Sequence, residues 1–144
     1  MFHSQWCEFH SMSAITNFPL FNNIYKEDIL KNPNLKKEFF KNQQQKEGIK
    51  IGNDVWIGMG VYIMPGVNIG NGVTIAANSV VTKPVADYSV VAGSPAKVIK
   101  VKHDERTVQE LNKIAWWNWE EELIKERISD FYGGINNFIN KYVK

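Results

Sequence analysis

Aliphatic side chains return at every sixth position between residues 51 and 86. In blocks of six, the section is IGNDVW, IGMGVY, IMPGVN, IGNGVT, IAANSV and VTKPVA, with Ile or Val in every first position and Val in most fifth positions. A period of six fits neither the 3.6-residue period of an α-helix nor the two-residue period of a flat strand. It suits a chain wound as a triangular prism, in which each face is a short strand and each corner is a tight bend.

The second position of most blocks holds a very small residue, namely Gly52, Gly58, Gly70 and Ala76. We expect this residue to let the backbone turn at the corner, while the first and fifth residues point inward. Successive coils then pair as parallel strands and bury a column of Ile and Val. A doubly wound parallel sheet is disfavoured, because residues 51–92 leave no room for helices between the strands.

The pattern divides the chain into residues 1–47, 48–102 and 103–144. The first section lacks the six-residue period and holds loop-like stretches such as NFPLFNN and KNPNLKK, so it is predicted to be an extended, irregular loop. The second section is the predicted solenoid. The third has the 3.6-residue period of helices and is predicted to be a helical tail.

Helix boundaries in the tail follow from its capping residues. Asp104 is predicted to cap a first helix that carries Val108, Leu111 and Ile114. Asn118, with Glu121 three residues on, has the spacing of a capping box for a second helix. The pair Gly133-Gly134 ends that helix, and a short third helix follows. We expect the aromatic residues of WWNW, which are Trp116, Trp117 and Trp119, to clamp the tail onto the solenoid.

Composition limits the partners and the cellular compartment of the protein more than it limits the reaction. Seventeen basic and fifteen acidic residues give a net charge of +2, too small to favour nucleic acid or an anionic membrane as a partner. The single cysteine, Cys7, cannot form an internal disulfide. The N-terminus lacks the pattern of a signal peptide, and no apolar run approaches the ~20 residues of a membrane helix. We therefore expect a soluble, cytoplasmic protein.

The hexads, with VVAGSPAKVIK and WWNW, resemble the hexapeptide-repeat acyltransferases. The resemblance is closest to their xenobiotic branch, which contains the streptogramin A acetyltransferases and the hexapeptide-type chloramphenicol acetyltransferases. It covers about residues 8–130. It implies a mainly β fold, a left-handed parallel β-helix, and assembly as a homotrimer. The left-handed winding comes from the family alone, because the general chirality rule favours right-handed crossovers.

The segment FHSMSAITNFPLF resembles the part of the family that carries the catalytic histidine. The resemblance implies that His10 is the general base and that Met12, Thr16 and Pro19 bind the acceptor. Histidine suits this task because its ordinary pKa of ~6.5 lets it take a proton at neutral pH. The acceptor hydroxyl then attacks the thioester of acetyl-CoA directly, so Cys7 has no role as a nucleophile. His3 and His103 lie outside this context and are interpreted as structural or solvated.

The same resemblance implies a set of residues that bind acetyl-CoA. Trp56 would flank the pantetheine arm, and Gly58 and Ala76 would expose backbone to it. Lys83 and Lys97 would offset the phosphate charge at the nucleotide end. The full set is Trp56, Gly58, Ala76, Asn78, Ser79, Lys83, Pro95 and Lys97. No metal is implied, because all three histidines lie outside the hexads, which disfavours a γ-class carbonic anhydrase.

The function that these features favour is an acetyl-CoA-dependent O-acetyltransferase for a hydroxyl of a small molecule such as an antibiotic, which would make the protein a resistance enzyme. A sugar or polysaccharide O-acetyltransferase is the alternative within the enzymes. Six hexads make only about two coils, and family members carry further coils before the histidine segment. The resemblance therefore implies a chain shortened at its N-terminus, and a non-catalytic assembly module is the alternative outside the enzymes.

Overall fold

A computed structural model describes Ile15, residues 20–39 and residues 48–143 of the chain. The chain separates into two compact units, Met1–Gly48 and Ile49–Lys144. The described part of the first unit contains helix α1 (Leu20–Ile24), helix α2 (Lys26–Lys31) and helix α3 (Leu35–Phe39). The expectation of an irregular loop is therefore wrong over these residues.

Local chemistry accounts for these short helices. In α2, Glu27 and Asp28 lie in the first turn and Lys31 in the last, which complements the helix dipole at both ends. Asn32 ends α2 in an extended conformation, because the residue before Pro33 is disfavoured in the α region. The ring of Phe21 packs at 4.5 Å from that of Phe39, centroid to centroid, and joins α1 to α3.

The second unit begins with six two-residue strands, one to each hexad. Their register is constant, since Lys50 pairs with Asn68, Trp56 with Thr74, and Tyr62 with Val80, each in parallel and eighteen residues on. Three hexads therefore make one coil, with one strand on each face. The prediction of a β-helix type fold is confirmed. The strands are β1 (Lys50–Ile51), β2 (Trp56–Ile57), β3 (Tyr62–Ile63), β4 (Asn68–Ile69), β5 (Thr74–Ile75) and β6 (Val80–Val81).

The first and fifth residues of the hexads form the core of the coils, as predicted. Val73 and Ile75 are completely buried, and Val67, Ile69 and Val81 are nearly so. Ile51 and Ile57 are 48% and 41% exposed, because no coil of the described residues lies over the first one. The inward column therefore extends through the whole repeat and is best covered in its second coil.

The bends use the fourth position of the hexad, and the expectation that the small second residue makes the turn is wrong. Positive φ angles occur in succession at Asp54 (54°), Gly60 (74°), Gly66 (81°), Gly72 (64°) and Asn78 (58°). Gly, Asn and Asp are the residues that adopt this conformation at least cost.

The second position is small because neighbouring coils approach there. A Cβ atom added to Gly52 would lie 2.8 Å from the carbonyl carbon of Gly70. One added to Gly58 would lie 2.5 Å from the backbone nitrogen of Ala77. The repeated glycine therefore reflects contact between coils, which the periodicity of one strand does not reveal.

Strands β7 (Ser89–Gly93) and β8 (Ala96–Val101) close the solenoid as an antiparallel hairpin. Strand β7 pairs in parallel with β5, so one sheet runs in the order β2-β5-β7-β8. The turn of the hairpin contains a cis peptide bond between Ser94 and Pro95. This sheet is the largest in the described residues and carries most of the predicted cofactor site.

The tail contains helix α4 (Glu105–Ile114), helix α5 (Glu121–Glu126) and helix α6 (Ile135–Tyr142), with 3-10 turns at Trp116–Asn118 and Ile128–Tyr132. The Asp104 cap is confirmed, since the backbone N–H of Thr107 donates to its carboxylate at 2.8 Å. The Asn118 capping box is wrong. Asn118 lies in the 3-10 turn, and Glu120 precedes α5 without a side-chain cap.

Aromatic packing holds the tail against the end of the solenoid, as expected for Trp116 and Trp119 but not for Trp117, which lies outside this cluster. Tyr88, which follows the last coil, is buried with Leu111, Phe138 and Ile139, and Trp116 and Trp119 pack around them. Polar contacts reinforce the junction. The side-chain amide of Asn112 donates to Asp87 at 2.6 Å, and that of Asn71 donates to Asn112 at 3.2 Å.

We expect Asp104→Ala to lower the melting temperature at neutral pH, because the N-terminus of α4 loses its cap. The hydrogen bond from the Thr107 backbone is the main reason that the pKa of Asp104 lies below its ordinary value of 3.8. A lowered folded-state pKa means that the stabilisation is present above pH 3.8 and is lost as the pH falls through the folded value. The difference between the two proteins should therefore shrink in acid, as followed by thermal denaturation at a series of pH values.

Asp104→Asn is the control, because asparagine keeps a capping oxygen without the charge. The melting temperature of this variant should stay close to that of the wild type at neutral pH. Its stability should no longer include the contribution that the Asp104 carboxylate loses in acid. A difference between wild type and Asp104→Ala that is constant down to low pH would contradict the assignment.

Candidate active site

Trp56 lies on the edge strand β2, and 60% of it is exposed. Its backbone N–H donates to the Val73 carbonyl at 2.9 Å, so the coil below fixes the strand while the indole stays on the surface. An exposed tryptophan on a rigid strand offers a flat apolar surface to a ligand at low entropic cost.

Small residues form a column along one corner of the prism, with Gly58 directly after β2, Ala76 directly after β5 and Ala92 within β7. The N–H of Gly58 donates to the Ile75 carbonyl at 2.8 Å, and the N–H of Ala76 donates to the Val91 carbonyl at 2.9 Å. Ala92 follows Val91 and continues the column into the hairpin. Gly58 is buried, whereas Ala76 and Ala92 are half-buried. This corner of the prism therefore carries only small side chains, and a long, thin ligand can approach it closely at Ala76 and Ala92. The expectation that Gly58 exposes its backbone is wrong, because Gly58 is buried against the neighbouring coil.

Asn78 and Ser79 occupy the next bend. Asn78 is exposed, and its N–H donates to the Met59 carbonyl at 2.9 Å. Ser79 is completely buried: its hydroxyl donates to the Ala76 carbonyl at 2.7 Å and accepts from the Gly93 N–H at 3.2 Å. Ser79 thus holds the column of small residues to the hairpin from inside, and its hydroxyl does not face the surface.

The hairpin places Lys97 on the same sheet as Trp56, and Pro95 lies in the turn of the hairpin. Lys97 is exposed and pairs with Ala92, the last member of the small-residue column. Lys83 is also exposed, but it follows β6, which belongs to the separate β3-β6 sheet. The sheet β2-β5-β7-β8 therefore brings together Trp56, Gly58, Ala76 and Lys97, and it does not include Lys83.

His10, Met12, Thr16 and Pro19 lie outside the described residues, so the acceptor half of the predicted site stays a prediction. His103 packs in the tail, with its ring 5.5 Å from that of Tyr88. Burial, and after it the charge of Lys102, lowers the pKa of His103. Its position agrees with a structural role.

Two further features bear on partners and ligands. Within residues 20–39 and 48–143, no group of three His, Cys, Asp or Glu side chains is arranged to hold a metal ion. None of the helices in the same described ranges has the length and apolar character needed to cross a membrane.

Ala92 extends the column of small residues and is absent from the sequence prediction. The spacing offered a signal for it, because Gly58 and Ala76 are eighteen residues apart and Ala92 follows sixteen residues later. The interval is shorter because strand β7 pairs with β5 sixteen residues on, whereas the earlier strands pair eighteen residues on. A search at a fixed period of eighteen therefore does not find Ala92.

Comparison with known proteins agrees with this architecture. The family model described as bacterial transferase hexapeptide (six repeats) matches residues 48–83. A probable macrolide acetyltransferase of Lysinibacillus sphaericus is 41% identical over 138 residues, which cover 94% of this chain and 73% of the relative. A chloramphenicol acetyltransferase of Morganella morganii is 48% identical over 75 residues, covering 52% of this chain and 36% of its own length.

Among solved structures, a hexapeptide-repeat acetyltransferase of Vibrio cholerae O1 biovar eltor, complexed with acetyl coenzyme A, is 43% identical over the aligned part. The alignment covers 40% of this chain and 32% of the other, with a TM-score of 0.39. The chain thus spans about a third of the chloramphenicol relative and of this structure, and about three quarters of the macrolide relative.

The long alignment to the macrolide relative and the matched hexads show that the chain belongs to the hexapeptide-repeat acetyltransferase family. The expectation that the protein is an acyltransferase is confirmed at the level of that family.

Proposed function

We propose that the protein is an O-acetyltransferase that transfers the acetyl group of acetyl-CoA to a hydroxyl of a small molecule. The observation that carries the proposal is the column of small residues Gly58, Ala76 and Ala92, with an exposed tryptophan at one end and an exposed lysine at the other. Pantetheine is long and thin and carries amides, so it fits a wall that has only small side chains.

Each residue of the sheet has a defined part in this proposal. Trp56 would lie against the arm near the thioester, and the backbone at Ala76 and Ala92 would line its length. Gly58 is buried, so it would act by letting the neighbouring coils approach. Lys97 would contact the nucleotide phosphates, where a cation offsets the negative charge. Asn78 and Pro95 would flank the arm, and Lys83 would contribute from a different face. Ser79 would act indirectly, by fixing the bend from inside.

Acetyl-CoA would supply the acetyl group as a thioester. His10 would remove the proton from the acceptor hydroxyl and hold it on a ring nitrogen while the acceptor oxygen forms its bond to the acetyl carbon. The C–S bond of the thioester would then break, and the proton would pass from His10 to the departing sulfur, which leaves as CoA with a free thiol. Met12, Thr16 and Pro19 would orient the acceptor. The family membership supports this mechanism. It also supports a left-handed winding of the coils and assembly as a trimer.

A hydroxylated antibiotic of the macrolide type is the first acceptor to test, because the alignment to the macrolide relative extends over 94% of this chain. Sugars belong in the same panel, since the cofactor half of the site would serve both. Acetylation of sugars alone would assign the protein to carbohydrate modification.

The first test is calorimetric titration of acetyl-CoA into the purified protein. We expect saturable binding near one molecule per chain, and we expect Trp56→Ala to weaken it by about tenfold because a desolvated aromatic contact is lost. Met59→Ala is the matched control, since Met59 is an exposed apolar residue of the same coil without a proposed contact.

A folded sample that binds no acetyl-CoA would overturn the proposal and favour the non-catalytic assembly module. Equal weakening in Trp56→Ala and Met59→Ala would remove Trp56 from the site and leave the rest of the proposal in place.

A further inference from the structure

A cavity of about 640 Å³ lies within the helical tail. Its wall is formed by the ends of α4, α5 and α6 and by the segment that follows α5. The volume is that of a small-molecule pocket, for which about 300–1,000 Å³ is usual. None of the residues proposed to bind acetyl-CoA lines it, so any ligand of this cavity would occupy a separate site.

The side chain of Arg127 is held in this wall by two aromatic rings. Its guanidinium carbon lies 4.8 Å from the ring centroid of Trp119 and 4.7 Å from that of Tyr142. The two rings also contact each other, with their centroids 4.9 Å apart. Aromatic rings attract the flat face of a guanidinium, and its N–H groups point outward in the plane of the group. The rings therefore fix the guanidinium and leave its edge able to donate hydrogen bonds.

These donors have no protein acceptor in the described part of the chain. Within residues 20–39 and 48–143, the side chain of Arg127 makes neither a hydrogen bond nor an ion pair. Arg127 is half-buried, and none of its side-chain nitrogens is among the unpaired polar atoms that are shielded from solvent. The unpaired N–H groups can therefore be reached by a ligand from the cavity.

The carboxylate of Asp130, in the same wall, is already engaged. The Lys141 ammonium donates to its Oδ2 atom at 2.7 Å, and the Tyr142 hydroxyl donates to the same oxygen. The hydrogen bond from Lys141, followed by that from Tyr142, lowers the pKa of Asp130, so the carboxylate is ionised at neutral pH. Its charge is thus balanced by Lys141, and Arg127 keeps an unpaired positive charge.

The charges of the whole wall indicate the sign of the missing group. Three side chains are cationic and two are anionic, which leaves one positive charge in excess; they are Lys113, Arg127, Lys141, Glu126 and Asp130. A ligand with one negative charge restores the balance. A carboxylate carries that charge and matches the planar edge of a guanidinium with two parallel hydrogen bonds.

We propose that the cavity is a binding site for a small carboxylic acid, held by the edge of the Arg127 guanidinium. The carboxylate would accept two N–H groups of Arg127, and the apolar part of the ligand would face Ile114 and Val143, which belong to the same wall. Because the wall joins three helices, the bound acid would also stabilise the fold of the tail.

The test is calorimetric titration of benzoate into the full chain, with benzamide as a neutral probe of nearly the same shape. We expect saturable binding of benzoate and binding of benzamide that is weaker by at least about tenfold, because the amide lacks the charge and the second acceptor oxygen. Saturating acetyl-CoA should leave the affinity for benzoate unchanged. The comparison of the two probes needs no variant protein.

Arg127→Lys identifies the group that binds the acid. Lysine keeps the positive charge and the attraction to the two rings, so the tail should stay folded, but it lacks the planar pair of donors. We expect the affinity for benzoate to fall by about tenfold. Arg106→Gln is the matched control, because Arg106 pairs with Glu110 on α4 and does not line the cavity. It should bind benzoate as the wild type does.

Several results would overturn the proposal. They are a wild type that does not bind benzoate saturably, equal binding of benzoate and benzamide, and an Arg127→Lys protein that binds benzoate as tightly as the wild type. Inorganic phosphate is a third probe, and saturable binding of phosphate without binding of benzoate would replace the carboxylic acid by a phosphate. Displacement of benzoate by acetyl-CoA would place the acid in the cofactor site instead.

Discussion

Replacing His10 with alanine is expected to lower kcat by about 10²–10⁴-fold, the usual contribution of a positioned general base. The imidazole is the group proposed to take the proton from the acceptor hydroxyl, and Cys7 has no place in a direct transfer. Because most of the residues proposed to hold acetyl-CoA lie on or beside the sheet β2-β5-β7-β8 and His10 is not among them, cofactor binding should be nearly unchanged. Steady-state turnover and calorimetric titration of the same preparation measure the two effects.

His3→Ala is the matched control, since His3 is a second histidine of the same N-terminal section without a proposed role. It should retain full turnover. The wild-type rate should also fall as the pH drops through the region of the histidine pKa, because the protonated ring cannot act as a base. A His10→Ala protein that turns over at the wild-type rate would end the assignment, whereas loss of both turnover and acetyl-CoA binding would point to a folding defect.

The sequence predicted the solenoid because the repeat records its geometry in each hexad. Ile69, Val73 and Ile75 face inward in the structure at the positions that the period gave them. The eighteen-residue register follows once three strands per coil are assumed, and the pairing of Trp56 with Thr74 confirms it. Burial of an aliphatic column leaves a strong and local sequence pattern, so the repeated coils can be predicted from a single sequence.

The bends were harder to predict because two physical constraints both select glycine. Gly60 and Gly72 have positive φ angles and make the turn, whereas Gly52 and Gly58 are small because the next coil lies against them. A list of glycines does not separate the two causes. Asp54 and Asn78 were the available signal, since they occupy the fourth position and are the other residue types that tolerate this backbone conformation.

Capping residues predicted the helix boundaries only in part. Asp104 caps α4 as predicted, but Asn118 lies in a 3-10 turn whose aromatic neighbours pack against Phe131 and Phe138. Tertiary packing of Trp116 and Trp119 fixed that segment, and a three-residue spacing carries no information about it. The short helices before residue 40 were missed for a related reason, because Asn and Pro at their ends resemble a loop.

The candidate site was likewise predicted in part from the sequence. Trp56, Gly58, Ala76 and Lys97 share one sheet because the register between coils places them there. Ser79 occupies a fifth position, which the period assigns to the interior, and its complete burial follows that rule. The family resemblance implied a ligand contact for Ser79, but its hydroxyl donates to the Ala76 carbonyl and accepts from the Gly93 N–H. Residue type alone does not distinguish a polar group that binds a ligand from one that holds the backbone.

Gly58→Ala is expected to destabilise the solenoid by an amount near the upper end of the ~1–3 kcal/mol range for overpacking. The added Cβ atom would lie 2.5 Å from the backbone nitrogen of Ala77 and 2.8 Å from its Cα atom. These are backbone atoms, so no side chain can rotate away, and the coils must separate locally. The separation also weakens the hydrogen bond from the Gly58 N–H to the Ile75 carbonyl. Urea denaturation followed by circular dichroism measures the loss.

Gly48→Ala is the matched control, because no described atom lies within 4 Å of a Cβ atom added at Gly48. The same substitution there should leave the urea midpoint close to that of the wild type. The family resemblance also assigns Gly58 to the acetyl-CoA site, and the two roles have separate readouts. A Gly58→Ala protein with unchanged stability and weakened acetyl-CoA binding would contradict the close contact between coils and favour the ligand role. Lower stability with unchanged binding would show that glycine is required there by the neighbouring coil alone.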